Sequence, residues 1–209
     1  MKKRALPLSP KGTGVIKIIS KNNVILLITL CFILGVLAGV LLFKNKNAEG
    51  TYYAEEFTEV YKGLSGNFTQ KLSFSFFRIL PYAAALFLSG TCMVGAVIVP
   101  GIVMLRGAVL GLIMSYAYAT FGLMGIVFNL LILIPSAVLS TISIILSARE
   151  ALGFSVSIVR LAMPSVNPPG IEQDFKFYCL RQMFVFLFFC TSAMVQAIMA
   201  TSFISFFNM

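Results

Sequence analysis

Charged side chains are missing from four long stretches of this 209-residue chain: 22–43, 79–105, 107–148 and 182–209 contain no Asp, Glu, Lys or Arg. A helix needs about 20 mostly apolar residues to cross the hydrocarbon of a bilayer. The first, second and fourth stretches each supply one such helix, and the third is long enough for two. Turn signals fall where the chain must reverse, at Pro100-Gly101 and at Phe121-Gly122. The pattern predicts an all-α, polytopic membrane helical bundle with about five transmembrane helices, over residues 24–43, 79–99, 102–120, 125–147 and 183–206. Residues 1–21 form a basic tail, and 22–209 a single transmembrane helical domain.

The connectors carry shorter patterns. Tyr53, Phe57, Val60, Tyr61 and Leu64 recur at helical spacing, while Glu55, Glu56, Glu59 and Lys62 fall largely on the other side. This predicts an amphipathic helix that lies on the membrane surface or docks on the bundle. Tyr53, Phe57, Tyr61 and Leu64 are its candidate partner-binding residues. A second stripe, Phe154, Ile158 and Leu161, follows the fourth span and is broken by Pro164, Pro168, Pro169 and Gly170. Asn67-Phe68-Thr69 matches a glycosylation sequon.

Charge sets the expected orientation. The net charge is +9, and the first 21 residues hold Lys2, Lys3, Arg4, Lys11, Lys17 and Lys21 with no acidic residue. Basic residues stay on the cytoplasmic side of a bilayer. The N-terminus is therefore expected in the cytoplasm, and after five spans the C-terminus outside. Because the basic residues flank apolar runs, they read as topology signals and not as a nucleic-acid footprint. Membrane lipid is the expected partner, and nucleic acid is not. Arg106 follows the Pro100-Gly101 turn by about 6–8 Å of helix. It reads as an interfacial anchor whose stem snorkels to the membrane surface, or as a contact for an anionic lipid headgroup.

Little in the chain suggests chemistry. There is no histidine, and the seven carboxylates all lie outside the expected spans. Intramembrane acid–base catalysis and proton-coupled transport lose their usual groups. Cys31, Cys92, Cys179 and Cys190 are scattered and form no CxxC pair, so neither metal nor cofactor is expected. Gly35-x-x-x-Gly39 and Gly107-x-x-x-Gly111 allow close helix approach. Asn129, Ser136, Ser140, Ser143 and Ser147 share one helical face beside Pro135. These positions suit helix packing, within the chain or in a homo-oligomer; a polar pathway or docking face is the functional alternative for the serine face.

The central stretch, roughly residues 20–155, resembles the stage II sporulation protein M family. The likeness rests on the order of features and on Gly90-Thr91-Cys92-Met93-Val94-Gly95, Pro100-Gly101, Leu105-Arg106-Gly107-Ala108-Val109-Leu110-Gly111 and Leu133-Ile134-Pro135-Ser136. Leu139, Ser140 and Thr141 stand where members of the wider family often carry an acidic residue. The resemblance implies a multi-pass protein of the bacterial cell membrane with a role in endospore formation. It implies a non-enzymatic scaffold for peptidoglycan remodelling at the septum during engulfment, working with cell-wall hydrolases of the stage II sporulation D and P kind. The alternative is a permease-like subunit partnered with a separate ATPase, with residues 148–161 as its coupling segment.

Overall fold

The computed structural model describes residues 21–45, 50–161 and 171–203, and the side chains within 23–44, 58–159 and 175–203. These residues are helical almost throughout, with no strand among them. The helices are α1 (Lys21–Asn45), α2 (Gly50–Ser65), α3 (Phe68–Gly90), α4 (Gly95–Phe121), α5 (Leu123–Phe128), α6 (Ile134–Leu161) and α7 (Ile171–Phe203). A π-helical turn, Asn129–Leu133, joins α5 to α6. Five segments are long and apolar enough to cross a membrane: Asn23–Lys44, Phe68–Gly90, Gly95–Phe121, Leu123–Val159 and Phe175–Phe203. The fold is an all-α multi-pass membrane bundle.

The second span lies differently from the expected 79–99. It begins at Phe68, where the side chain of Gln70 accepts the Asn67 backbone N–H at 3.0 Å. That is half of a capping box, and it marks a helix start within the sequon-like tripeptide. The span ends at Gly90. There the Thr91 N–H and hydroxyl both donate to the Leu88 carbonyl, at 3.1 and 2.7 Å, and the Cys92 N–H donates to Ser89 O at 3.2 Å. These short-range bonds tighten the last turn and stop the helix. The reversal is therefore an elbow at Thr91–Val94, not a turn at Pro100-Gly101. Gly95 leaves the elbow so close to the Ser89 carbonyl that a Cβ would collide with it. Pro100 stays inside α4 at the loss of one backbone hydrogen bond, a loss that membrane helices accommodate.

At the opposite end, Gly122 links α4 to α5 with φ 56° and ψ −127°, a conformation that suits only glycine. From there α5, the π turn and α6 run as one rod about 58 Å long at 1.5 Å per residue. Pro135 explains the π turn. It offers no N–H to the helix behind it, and Ile134 reaches instead to Asn129 O, five residues back. The rod exceeds the roughly 30 Å of hydrocarbon. Its far end, which carries the Phe154 and Ile158 stripe, continues as helix where a cytoplasmic loop is expected. That end packs on the first turns of α7. The rings of Phe154 and Tyr178 stack at 4.6 Å, Phe87 stacks on Tyr178 at 5.6 Å, and Glu150 pairs with Arg181 at 2.9 Å.

The first span is held by shape. Gly35 and Gly39 of α1 lie against the Met104 and Ala108 carbonyls of α4, and Gly107 and Gly111 of α4 lie against the Phe32 and Val36 carbonyls of α1. The two Gly-x-x-x-Gly motifs thus form one seam in which backbone meets backbone. The rest of α1 exposes Leu26, Leu30, Leu37 and Leu41. Replacing Gly107 with leucine is expected to pry α1 from α4 and to destabilise the bundle by about 1–3 kcal/mol, the usual cost of overpacking. Gly101 has open space beside it. The control Gly101→Ala should leave detergent-induced unfolding unchanged, and equal effects of the two substitutions would refute the seam.

Candidate functional site

Two apolar clusters divide the bundle along its length. Near the elbow, Leu86, Val99, Val103, Ile144, Ala148, Ala151, Val185 and Phe189 pack together with Ile28 and Ile79. Toward the other end, Val60, Leu64, Ile113, Ala117, Phe128, Ile132 and Ala200 form a second cluster. Between them runs a polar layer. α3 brings Ser75 and Arg78, α4 brings Arg106, α6 brings Ser136 and Ser140, and α7 brings Ser192 and Gln196. Arg78 and Arg106 each stand about 17 Å along their helices from the elbow, so they meet at one depth.

Arg106 is only 6% exposed, and its guanidinium lies over the Tyr82 ring at 5.1 Å from the centroid. This corrects the expectation of an interfacial anchor. Because the chain reverses at the elbow and not at Pro100-Gly101, Arg106 lies deep in its span, beyond the reach of a snorkelling stem. Its Nε is buried without a hydrogen-bond partner. A charge near the bilayer centre costs about 2.5–3.5 kcal/mol on insertion scales. A desolvated cation–π contact returns about 2 kcal/mol at best. The ring therefore offsets part of the cost, and the remainder falls on whatever else meets the guanidinium.

The neighbouring cation is accounted for. Lys71 is buried, and its Nζ lies 3.4 Å from both the Ala200 carbonyl and the Thr201 hydroxyl. Those groups close the last turn of α7, where the helix dipole favours a positive charge. Arg106 has no comparable arrangement. Among the described residues no carboxylate pairs with it, whereas Glu150 pairs with Arg149 and with Arg181.

A cavity of about 20 Å³ opens between Arg78, Arg106, Ser136, Ser140, Ser192 and Gln196, with aliphatic side chains, Leu110 and Leu133 among them, forming the larger part of its wall. The serines around it are already engaged as donors. Ser136 bonds Leu133 O at 3.1 Å, Ser140 bonds Ala137 O at 3.0 Å, and Ser192 bonds Ser136 O across the α6–α7 interface at 2.9 Å. Separately, an open groove of about 590 Å³ runs along α2, α3 and α4, with Glu59, Arg78 and Tyr82 among mostly apolar walls. Tyr82 thus has one side in the groove and its ring face on Arg106.

The expected site residues are placed as follows. The side chains of Tyr53 and Phe57 lie outside the described residues. Leu64 is fully buried in the second apolar cluster, and Tyr61 is half-buried with its ring 6.4 Å from Phe128. Leu64 is therefore not an available partner contact: the apolar face of α2 is covered by the bundle itself, which is the nearest apolar surface. Asn129 is buried beside the π turn and donates from Nδ2 to Met114 O at 3.2 Å, tying the rod to α4. Ser136 borders the cavity one residue after Pro135.

Sequence reasoning missed Ser75 and Arg78 by placing the span too late, and with them the face they share with Tyr82. The signal was present, since Lys71, Ser75, Arg78 and Tyr82 recur at spacings that align on one helical face. The chain matches no family model, no curated protein and no solved structure.

Tyr82 gives the layer a direct test. Tyr82→Leu is expected to lower stability by about 1–2 kcal/mol through loss of the ring face, while Tyr82→Phe keeps most of it. Chemical unfolding of the detergent-solubilised protein would separate the two, and equal losses would show that the ring does not support Arg106.

Proposed function

We propose that this chain is a non-enzymatic membrane scaffold of the bacterial cell envelope, similar to the stage II sporulation protein M family. Its role is to localise peptidoglycan hydrolases for septal wall remodelling and engulfment. One observation carries the reading: the segments behind the resemblance are where the helices close on one another. Gly90 meets the Tyr178 hydroxyl, Gly95 meets Ser89, and Gly107 and Gly111 meet α1. Arg106 and Ser136 border one cavity, and Pro135 follows the π turn. These positions encode geometry and not bulk hydrophobicity, and that supports the reading.

The contact surface moves with the burial of Leu64. α2 is fixed to the bundle through Val60 and Leu64 and leaves Thr58, Lys62 and Ser65 exposed. With the basic tail in the cytoplasm, that face meets the wall side, and it is the surface assigned to hydrolases. Lys62→Glu is expected to reduce recovery of wall hydrolases in a crosslinked pull-down several-fold without affecting membrane insertion. Leu64→Ser is expected instead to destabilise the bundle by about 2–4 kcal/mol. Undiminished recovery with Lys62→Glu would overturn the surface assignment.

The second reading, a permease-like subunit served by a separate ATPase, draws on Lys71, Arg78 and Arg106, three cations within candidate spans. The same pull-down decides between the two. Recovery of an ATPase without hydrolases would favour transport and overturn the scaffold.

A further inference from the structure

The cavity in the polar layer is bordered by a buried donor that lacks a partner. Its volume of about 20 Å³ admits one water-sized particle. Two guanidinium groups border it, and one of them, on Arg106, is buried with its Nε unpartnered. An arginine side chain has only donors to offer, so whatever completes it must accept.

We propose that this cavity binds a single monatomic anion, chloride in the cell, held chiefly by Arg106 with the Gln196 amide and the serine hydroxyls of α6 and α7 around it. A water and a halide are the two simplest occupants. A water would accept from Nε but would leave the charge of Arg106 uncompensated in a low-dielectric interior. A halide satisfies the donor and neutralises the charge together, and a buried charge demands both. The serine hydroxyls can rotate from their backbone acceptors toward the anion, exchanging one acceptor for another. The Gln196 amide supplies further donors from the α7 side.

The site lies where α3, α4, α6 and α7 converge, so its occupancy should bind four helices into one unit. It belongs to the chain's own architecture and does not depend on which partner the protein serves.

The test uses the full chain purified in a mild detergent and depleted of halide in sodium gluconate. Titration with sodium chloride at constant ionic strength is expected to raise the melting temperature by about 3 °C. Bromide should do the same and give an anomalous diffraction peak beside Arg106. Phosphate should have no effect. Arg106→Gln should abolish the halide response. If that variant does not fold, Gln196→Leu retains the charge and is expected to shift the chloride midpoint about tenfold upward. Equal melting temperatures in chloride and gluconate would assign the cavity to water and overturn the proposal. So would an undiminished chloride response in both Arg106→Gln and Gln196→Leu, which would place the effect at the protein surface.

Discussion

A guanidinium group enclosed at mid-bundle sets the terms on which these helices close. Arg106 has the Tyr82 ring on one face and a small cavity of mixed polar and aliphatic lining beside it, with apolar clusters toward either end of the molecule. The helices bordering the cavity bring Arg78, Arg106, Ser136, Ser140, Ser192 and Gln196 to one height, among the aliphatic side chains of Leu110, Ile113 and Leu133. Sliding α3 or α4 by a turn, about 5.4 Å, would take the Tyr82 ring from Arg106, and sliding α6 or α7 would take Ser192 from the Ser136 carbonyl. The polar layer therefore fixes the register of α3, α4, α6 and α7 more sharply than their aliphatic side chains could. Leucine packs nearly as well one turn away, whereas a buried charge does not.

The first span obeys a different rule. Between helices surrounded by lipid, apolar side chains gain little from leaving one another's company for hydrocarbon, so association depends on close packing and polar contacts. α1 brings no charge to the layer. It is held to α4 by glycines that let two backbones approach, with each Gly-x-x-x-Gly pair seated on the other helix's carbonyls. α2 is held by burial of Val60 and Leu64, and the far end of the rod by the Phe87–Tyr178–Phe154 stack with the Glu150–Arg181 pair outside it. Polarity thus sets alignment at the centre, while shape and burial attach the periphery.

The number and type of the spans were legible because a bilayer demands long runs without charge, and few other constraints produce them. Their limits were less so. Counting charges treats every lysine and arginine as a mark of the outside, yet Lys71 is buried inside α3 against the end of α7. Asn67 and Gln70 announced the true start of that helix through a local cap, a signal weaker than the hydropathy break near Ile79. The elbow was hidden for a related reason. Pro100-Gly101 is the stronger turn signal in isolation, but the geometry at Gly90 and Gly95 admits a reversal there, and a proline can remain within a membrane helix. Moving the turn sank Arg106 by roughly 10 Å, from the interface to the centre of the candidate site. The apolar face of α2 could be read from its spacing; what covers it depends on the packing of distant segments, and so Leu64 was assigned to a partner and proved to be core.

The glycine seam also bears on how the molecule is made. α1 leaves the ribosome well before α4, the helix it fits, which is separated from it by α2, the whole of α3 and the elbow. Until α4 arrives, α1 must rest in the bilayer with its glycine groove facing lipid. Insertion and assembly are thus separate events for this helix, and the interval between them is set by the rate at which roughly one third of the chain is synthesised. A membrane insertase that released α1 early would expose a groove suited to any small-residue helix nearby. The seam therefore leaves the pairing of α1 as a late event, completed only once α4 has entered the membrane.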